Sequence, residues 1–146
     1  ALADVAKLSR EELEFLAAPL GEGGAEQVLQ QLFAAQARWV VVTDGAAALR
    51  WYTRSAQGRA TSFRVATVDS TAAGDAFVGG LLTALVERGV DASNLPTFCN
   101  DEAAMHEALR FGAAVGALAV TRKGAFAAMP SRDEVNDLLL QTEESH

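Results

Sequence analysis

Residues 68–77 place three residues with little or no side chain, Ala72, Ala73 and Gly74, directly before an acid, Asp75. A strand-like stretch comes before them, and a long apolar helix is predicted to begin near Gly74. The first amides of a helix have no intrahelical acceptor, so they can stabilise an anion such as a phosphoryl group. A carboxylate on that first turn could accept a proton from an attacking hydroxyl. The pattern therefore indicates phosphoryl transfer to an alcohol.

The same residues fit a second interpretation, in which small residues allow tight strand–helix packing and the acid only complements the helix dipole. The order Asp-Ser-Thr-Ala-Ala-Gly-Asp-Ala-Phe over residues 69–77 resembles the second signature of the ribokinase/PfkB family of sugar kinases. The resemblance favours the catalytic interpretation. It implies a ribokinase-like three-layer α/β/α sandwich, with Asp75 as the catalytic base and residues 72–74 as the anion hole.

Composition limits the classes of protein that fit this chain. Half of its 146 residues are hydrophobic, enough for one compact domain. The 19 acidic and 12 basic residues give a formal charge of −7, and the absence of a basic run argues against nucleic acid or an anionic membrane as partner. A single Cys99 excludes an internal disulfide framework. With no secretory pattern or bilayer-length apolar run, we expect a cytoplasmic protein.

The pattern of apolar residues and turn signals predicts an α/β fold with a mostly parallel sheet. Strands are predicted at Leu2–Leu8, Trp39–Thr43, Ala47–Thr53 and Ala60–Val68, the last two separated by a polar turn over residues 55–59. Helices are predicted at Ser9–Ala17, Ala25–Gln36, Gly74–Arg88, Glu102–Val120 and Ser131–Leu140, with a loop over residues 90–101. Capping boxes are expected at Ser9/Glu12 and Ser131/Glu134.

Two further segments resemble family motifs that lie at the nucleotide and its metal. Lys7-Leu8-Ser9-Arg10-Glu11-Glu12 is similar to the family's N-x-x-E motif, which helps place metal and phosphate through water; Ser9 replaces the usual Asn and Glu12 matches the Glu. Val41-Val42-Thr43-Asp44-Gly45 resembles a V-T-L-G segment whose Thr and Gly line the nucleotide site. Asp44 replaces an apolar residue there, and an acid close to polyphosphate is unfavourable unless it points into water or toward the metal.

Residues 111–130 resemble the family's closing helix and loop, which cover the adenine and contribute carbonyls to a monovalent-cation site. Ala113 stands where relatives often place Asn or His against the base. The resemblance implies ATP and Mg²⁺ as cofactors, with K⁺ as a further ion. Its ligands would be Asp69, Thr71, Ala119 and Gly124. Without the resemblance, an Ala/Gly-rich helix is interpreted as a close-packed core helix.

The resemblance covers only the C-terminal half of the family's length, so residues 1–146 are expected to be the ATP-binding and catalytic-base half. The N-terminal sugar-binding and lid half, through which the family could form a homodimer, lies outside this sequence. The predicted activity is phosphorylation of a sugar, with fructose the leading acceptor because several segments look like bacterial fructokinases. Ribose, a nucleoside or another small alcohol remains an alternative, as does a non-catalytic nucleotide-binding fragment.

Overall fold

The structure is a computed structural model that describes residues 3–45, 48–63, 72–122 and 129–144. The chain divides into two compact units. The first comprises residues 1–61 with 92–101, and the second comprises residues 62–91 with 102–146. The described strands all belong to the first unit, whereas the described part of the second unit is helical.

The first unit contains a sheet in the order β1-β2-β3-β4, formed by Val5–Ser9, Trp39–Thr43, Leu49–Thr53 and Gln57–Ala60. Strands β1 and β2 are parallel, while β2/β3 and β3/β4 are antiparallel. Short connections can join only antiparallel neighbours, and the parallel pair needs a helical crossover. The predicted α/β class is confirmed, but the described sheet is mixed, not mostly parallel.

The helices of the described residues are α1 Arg10–Ala17, α2 Gly24–Ala35, α3 Ala73–Glu87, α4 Leu95–Phe98, α5 Glu102–Val120 and α6 Arg132–Glu144. A single 3₁₀ turn, Ala18–Leu20, follows α1. Helices α1 and α2 form the crossover between β1 and β2, and α4 also belongs to the first unit. Helices α3, α5 and α6 build the second unit.

Strand β2 forms the centre of the first unit's core. Its residues from Trp39 to Val42 are buried, as expected of a strand with a neighbour on each side. Val40 and Val42 pack with Leu13 of α1 and Val28 of α2. The Trp39 ring meets Phe98 of α4 edge to face, with ring centroids 5.7 Å apart.

The second unit depends on close packing between α3 and α5. Gly80 of α3 has no room for a side chain, because an added Cβ would lie 2.8 Å from Val115 Cγ2 and 3.0 Å from the Cα of Gly112. Helix α6 is attached by ion pairs, which join Arg132 to Glu87 of α3, and Arg110 of α5 to Glu143.

Most predicted helices are confirmed, but several predicted boundaries are wrong. Strand β1 runs from Val5 to Ser9, so its last residue also caps α1. The supposed turn at residues 55–59 contains most of β4, and residues 61–63 are not strand. The supposed loop at residues 90–101 contains α4, and α6 continues beyond Leu140 to Glu144. Predictions for residues 2, 46–47, 64–71 and 123–128 lie outside the described residues.

Candidate active site

The first unit brings two predicted nucleotide segments together at the carboxyl ends of its parallel strands. In the register of β1 and β2, Ser9 lies directly beside Thr43. The hydroxyl of Thr43 donates a hydrogen bond of 3.5 Å to the carbonyl of Leu8. Open α/β sheets bind their ligands at this end of the strands. The two motifs, 34 positions apart, therefore form one edge of the first unit.

Ser9 and Glu12 form the predicted capping box at the start of α1. The Glu12 amide donates to Ser9 Oγ at 3.1 Å, and the Ser9 amide donates to Glu12 Oε2 at 2.6 Å. The Ser9 amide, followed by the nearby charge of Lys7 and the Ser9 side chain, lowers the pKa of Glu12 against a smaller opposing effect of desolvation. Glu12 is thus ionised at neutral pH, and the box fixes the direction of an exposed carboxylate.

The turn after β2 carries Asp44 and Gly45. Gly45 has a φ of +53°, a left-handed conformation that glycine adopts at little cost. Asp44 forms an ion pair with Arg10, the first residue of α1. The guanidinium donates from Nη1 to Asp44 Oδ2 at 3.2 Å. Arg10 was not predicted as a site residue. The acid that departs from the family pattern is therefore paired with a cation.

In the second unit, α3 begins one residue earlier than predicted, at Ala73, with Ala72 as its N-cap. Ala72 has φ −107° and ψ 8°, and among the described residues no side chain caps this end of the helix. The Ala76 amide bonds to the Ala72 carbonyl at 2.9 Å and is the first to find an intrahelical acceptor. The amides of Ala72, Ala73, Gly74 and Asp75 precede it, and none of them has an acceptor among the described residues, so they could bind an anion.

Asp75 lies on the first turn of α3 and is exposed. Within the described ranges, no ion pair or hydrogen bond ties its carboxylate to another side chain or to the backbone. An exposed acid on a first helical turn fits both a helix-dipole role and proton transfer from a bound hydroxyl. The second unit therefore places an accessible carboxylate beside a set of uncapped amides.

Helix α5 supports the start of α3. Gly116 approaches so closely that an added Cβ would lie 3.2 Å from the Ala73 carbonyl oxygen. Ala113, the predicted adenine-side residue, is 6 % exposed and Ala119 is 1 % exposed. The interpretation of this segment as a close-packed helix is confirmed. The nucleotide role of Ala113 stays a prediction, and the Ala/Gly composition was the sequence signal for the role of Gly116.

The predicted cation ligands are mostly beyond the described residues: Asp69, Thr71 and Gly124 lie outside them. The Ala119 carbonyl accepts a hydrogen bond of 3.3 Å from the Arg122 amide. Among the residues that the structure describes, no group of three or more His, Cys, Asp or Glu side chains could hold a metal ion. The K⁺ site therefore stays a prediction.

Three other side chains, Cys99, His106 and Arg122, are not among the predicted site residues. Cys99 is buried, and burial raises the pKa of its thiol to about 11, which opposes a nucleophilic role. His106 lies on α5, 3.9 Å from Glu102 of the preceding turn. Arg122 is paired with Glu134 and donates to the Met129 carbonyl at 3.3 Å. Within the described ranges no helix has the length and apolar character needed to cross a membrane.

Comparison with known proteins defines the class. The profile described as pfkB family carbohydrate kinase matches residues 1–132. The chain therefore belongs to the pfkB family of carbohydrate kinases, as residues 69–77 predicted. It is 45 % identical over 141 residues to a probable fructokinase-7 of Arabidopsis thaliana, a match that covers 97 % of this chain and 39 % of that protein.

Solved structures agree with the ribokinase-like fold. A fructokinase from Xylella fastidiosa with bound ATP matches with a TM-score of 0.92 and 50 % identity, over 97 % of this chain and 44 % of that one. A fructokinase double mutant from Vibrio cholerae O395, bound to fructose, ADP and potassium ion, matches with a TM-score of 0.74 and 37 % identity. That match covers 92 % of this chain and 40 % of the Vibrio chain. The chain thus spans about two fifths of the length of these proteins.

Proposed function

We propose that this chain is the nucleotide-binding and catalytic-base part of an ATP-dependent sugar kinase, with fructose as the leading acceptor. The observation that carries the proposal is the exposed Asp75 carboxylate on the first turn of α3, beside uncapped amides. Similarity to fructokinases that bind ATP, or fructose with ADP and potassium ion, supports the choice of substrates. The cytoplasm, where ATP is available and a free Cys99 stays reduced, is the proposed location.

In the proposed reaction, Asp75 accepts the proton of a primary sugar hydroxyl. The hydroxyl oxygen forms a bond to the γ-phosphorus, and the bond from that phosphorus to the bridging oxygen of ATP breaks, releasing ADP. The amides of Ala72, Ala73 and Gly74 neutralise charge on the transferring phosphoryl group. Because such donors are already oriented, losing one would raise the barrier by roughly 3 kcal/mol. Positioning and electrostatics account for catalysis in this scheme.

Residues of the first unit have supporting roles in the proposal. Thr43 and Gly45 line the nucleotide, and Ser9 holds Glu12 in a fixed direction by the capping box. In the second unit, Ala113 of α5 is a further proposed nucleotide-binding residue. Mg²⁺, when bound, would neutralise charge on the phosphates, and Glu12 would be the residue of this unit that helps to hold it. The ionised Glu12, through Oε1, fits a contact to metal-bound water, since its Oε2 accepts the Ser9 amide. Asp69, Thr71, Ala119 and Gly124 are the proposed K⁺ ligands.

The test is an assay of the full-length gene product that carries this sequence. Phosphorylation of fructose, ribose and aminoimidazole riboside by ATP is measured alongside the Xylella fructokinase as a positive control. We expect a sugar phosphate and ADP in equal amounts, with the highest kcat/KM for fructose. A higher value for ribose or the riboside would reassign the acceptor. Binding of ATP with no transfer to any acceptor would support a non-catalytic nucleotide-binding module instead.

A further inference from the structure

We propose that Arg10 is a counter-charge for Asp44 and thereby sets the affinity of this protein for an anionic nucleotide. The inference rests on the proposed function, because it takes the turn Thr43-Asp44-Gly45 as part of the nucleotide site. It adds a specificity-determining residue to that site. Arg10 would act through Asp44, so it is a positioning residue.

The geometry brings three chain segments to one edge of the first unit. Arg10 follows Ser9 directly, and Ser9 lies beside Thr43 in the parallel register of β1 and β2. From there the guanidinium reaches the next residue of the turn, with Nη1 3.2 Å from Asp44 Oδ2. The Nε of Arg10 also lies 3.4 Å from Oε1 of Glu14. Arg10 is therefore held between an acid of the turn and an acid of its own helix.

The position of Arg10 is not explained by the stability of α1. It is the first residue of the helix, where a cation interacts unfavourably with the helix dipole. Its pair with Glu14 has the cation N-terminal to the acid, which is the weaker of the two orientations. The pair with Asp44 is also exposed, with side-chain exposures of 58 % and 37 %, and such surface pairs contribute little to folding.

The Arg10–Asp44 pair offsets the negative charge that Asp44 brings to the turn. Among the described residues, Arg10 is the cation that pairs with Asp44, so without it the Asp44 carboxylate would have no ion-pair partner there, between two residues proposed to line a polyphosphate. Repulsion between like charges would then weaken nucleotide binding while leaving the chemical step at Asp75 unchanged. In a partly hydrated site, one uncompensated charge corresponds to an increase of about three- to tenfold in the KM for ATP.

The experiment uses the full-length gene product and the substitutions Arg10→Gln, Asp44→Asn and their combination, with Glu14→Gln as the matched control. Glu14→Gln removes the other acid paired with Arg10 but lies outside the turn. KM for ATP, KM for sugar and kcat are measured, and ADP binding is followed by calorimetry. Each is repeated with added NaCl at a fixed KCl concentration, because screening reduces an electrostatic effect.

We expect Arg10→Gln to raise the KM for ATP and the Kd for ADP about three- to tenfold, with less effect at high salt and no change in kcat. Adding Asp44→Asn should restore both constants, while Glu14→Gln changes neither. Unchanged nucleotide constants in Arg10→Gln, or no recovery in the double variant, would overturn the inference. Absence of phosphoryl transfer by the unsubstituted protein would instead refute the proposed function, and ADP binding would still decide the role of Arg10.

Discussion

Two acids in this chain, Asp75 and Glu12, occupy the first turns of helices but have different surroundings. Glu12 is held by the Ser9 amide at 2.6 Å and has a lowered pKa, so it is a fixed negative charge. Asp75 is exposed, and no partner for its carboxylate lies in the described part of the chain. A fixed charge suits orientation of metal-bound water, whereas an accessible carboxylate suits proton transfer.

The role of Glu12 gives a prediction that separates charge from helix capping. In Glu12→Gln the amide oxygen can still accept from the Ser9 amide, so α1 keeps its cap while the negative charge is lost. We expect the Mg²⁺ concentration for half-maximal activity to rise about tenfold, as for other residues that orient metal-bound groups. The measurement is a Mg²⁺ titration of turnover at saturating ATP and sugar.

The second capping box provides the control for this titration. Glu134 accepts from the Ser131 amide at 2.7 Å at the start of α6, and it stands outside the proposed nucleotide and metal residues. Glu134→Gln should leave the Mg²⁺ requirement unchanged. Equal shifts in both variants, or none in Glu12→Gln, would remove Glu12 from the proposed metal role.

At the scale of elements, the packing of α3 against α5 determines where the start of α3 lies within the second unit. Gly80 and Gly112 allow the two backbones to approach, and Gly116 meets the carbonyl of Ala73, the first residue of α3. This packing along its length stabilises α3, since no side chain of the described residues caps its N-terminal end. The glycines of α5 are therefore structural support for the proposed anion hole.

Two neighbouring glycines of α3, Gly79 and Gly80, test this packing, because replacing each by alanine should change the free energy of unfolding in opposite directions. An added Cβ at Gly80 would lie 2.8 Å from Val115 Cγ2, whereas at exposed Gly79 it would meet nothing within 4 Å. We expect Gly80→Ala to lower the free energy of unfolding by about 1–3 kcal/mol through overpacking. Gly79→Ala should raise it by about 0.5–1 kcal/mol, since alanine is the better helix former.

Urea unfolding of the full-length gene product, followed by circular dichroism, measures both changes. The unsubstituted protein is the reference, and equal m-values would show that the unfolded state has not altered. Two variants that shift in the same direction would contradict the close α3–α5 contact at Gly80.

At the scale of the whole molecule, the features predicted correctly from the sequence are those that depend on residues close together in the chain. The capping boxes at Ser9 and Ser131 were predicted correctly because each needs only residues three positions apart. Helix α5 was predicted with its observed ends, and α3 to within one residue. The family was predicted from the nine residues of 69–77, and the comparisons confirm it.

The failed prediction of β4 and the unpredicted Arg10–Asp44 pair both depend on contacts between strands, which a local pattern does not reveal. Strand β4 contains Gln57-Gly58-Arg59, which was predicted to be a turn. In the structure Gly58 pairs with Trp51 of β3, and the Trp51 indole ring occupies the space that a Cβ at Gly58 would need. Pairing and close packing, not strand propensity, therefore create that strand. The Arg10–Asp44 pair spans 34 positions and exists only because β1 and β2 are parallel in their observed register.

The most direct test of the account is the turnover of Asp75→Asn in the full-length gene product, compared with Asp133→Asn. Asp133 is an exposed acid in the first turn of α6, so its substitution controls for loss of a helix-dipole interaction. We expect Asp75→Asn to lower kcat for fructose phosphorylation about 10²- to 10⁴-fold with ATP affinity retained, while the kcat of Asp133→Asn is unchanged. Near-normal kcat in Asp75→Asn would contradict the assignment of Asp75 as the base.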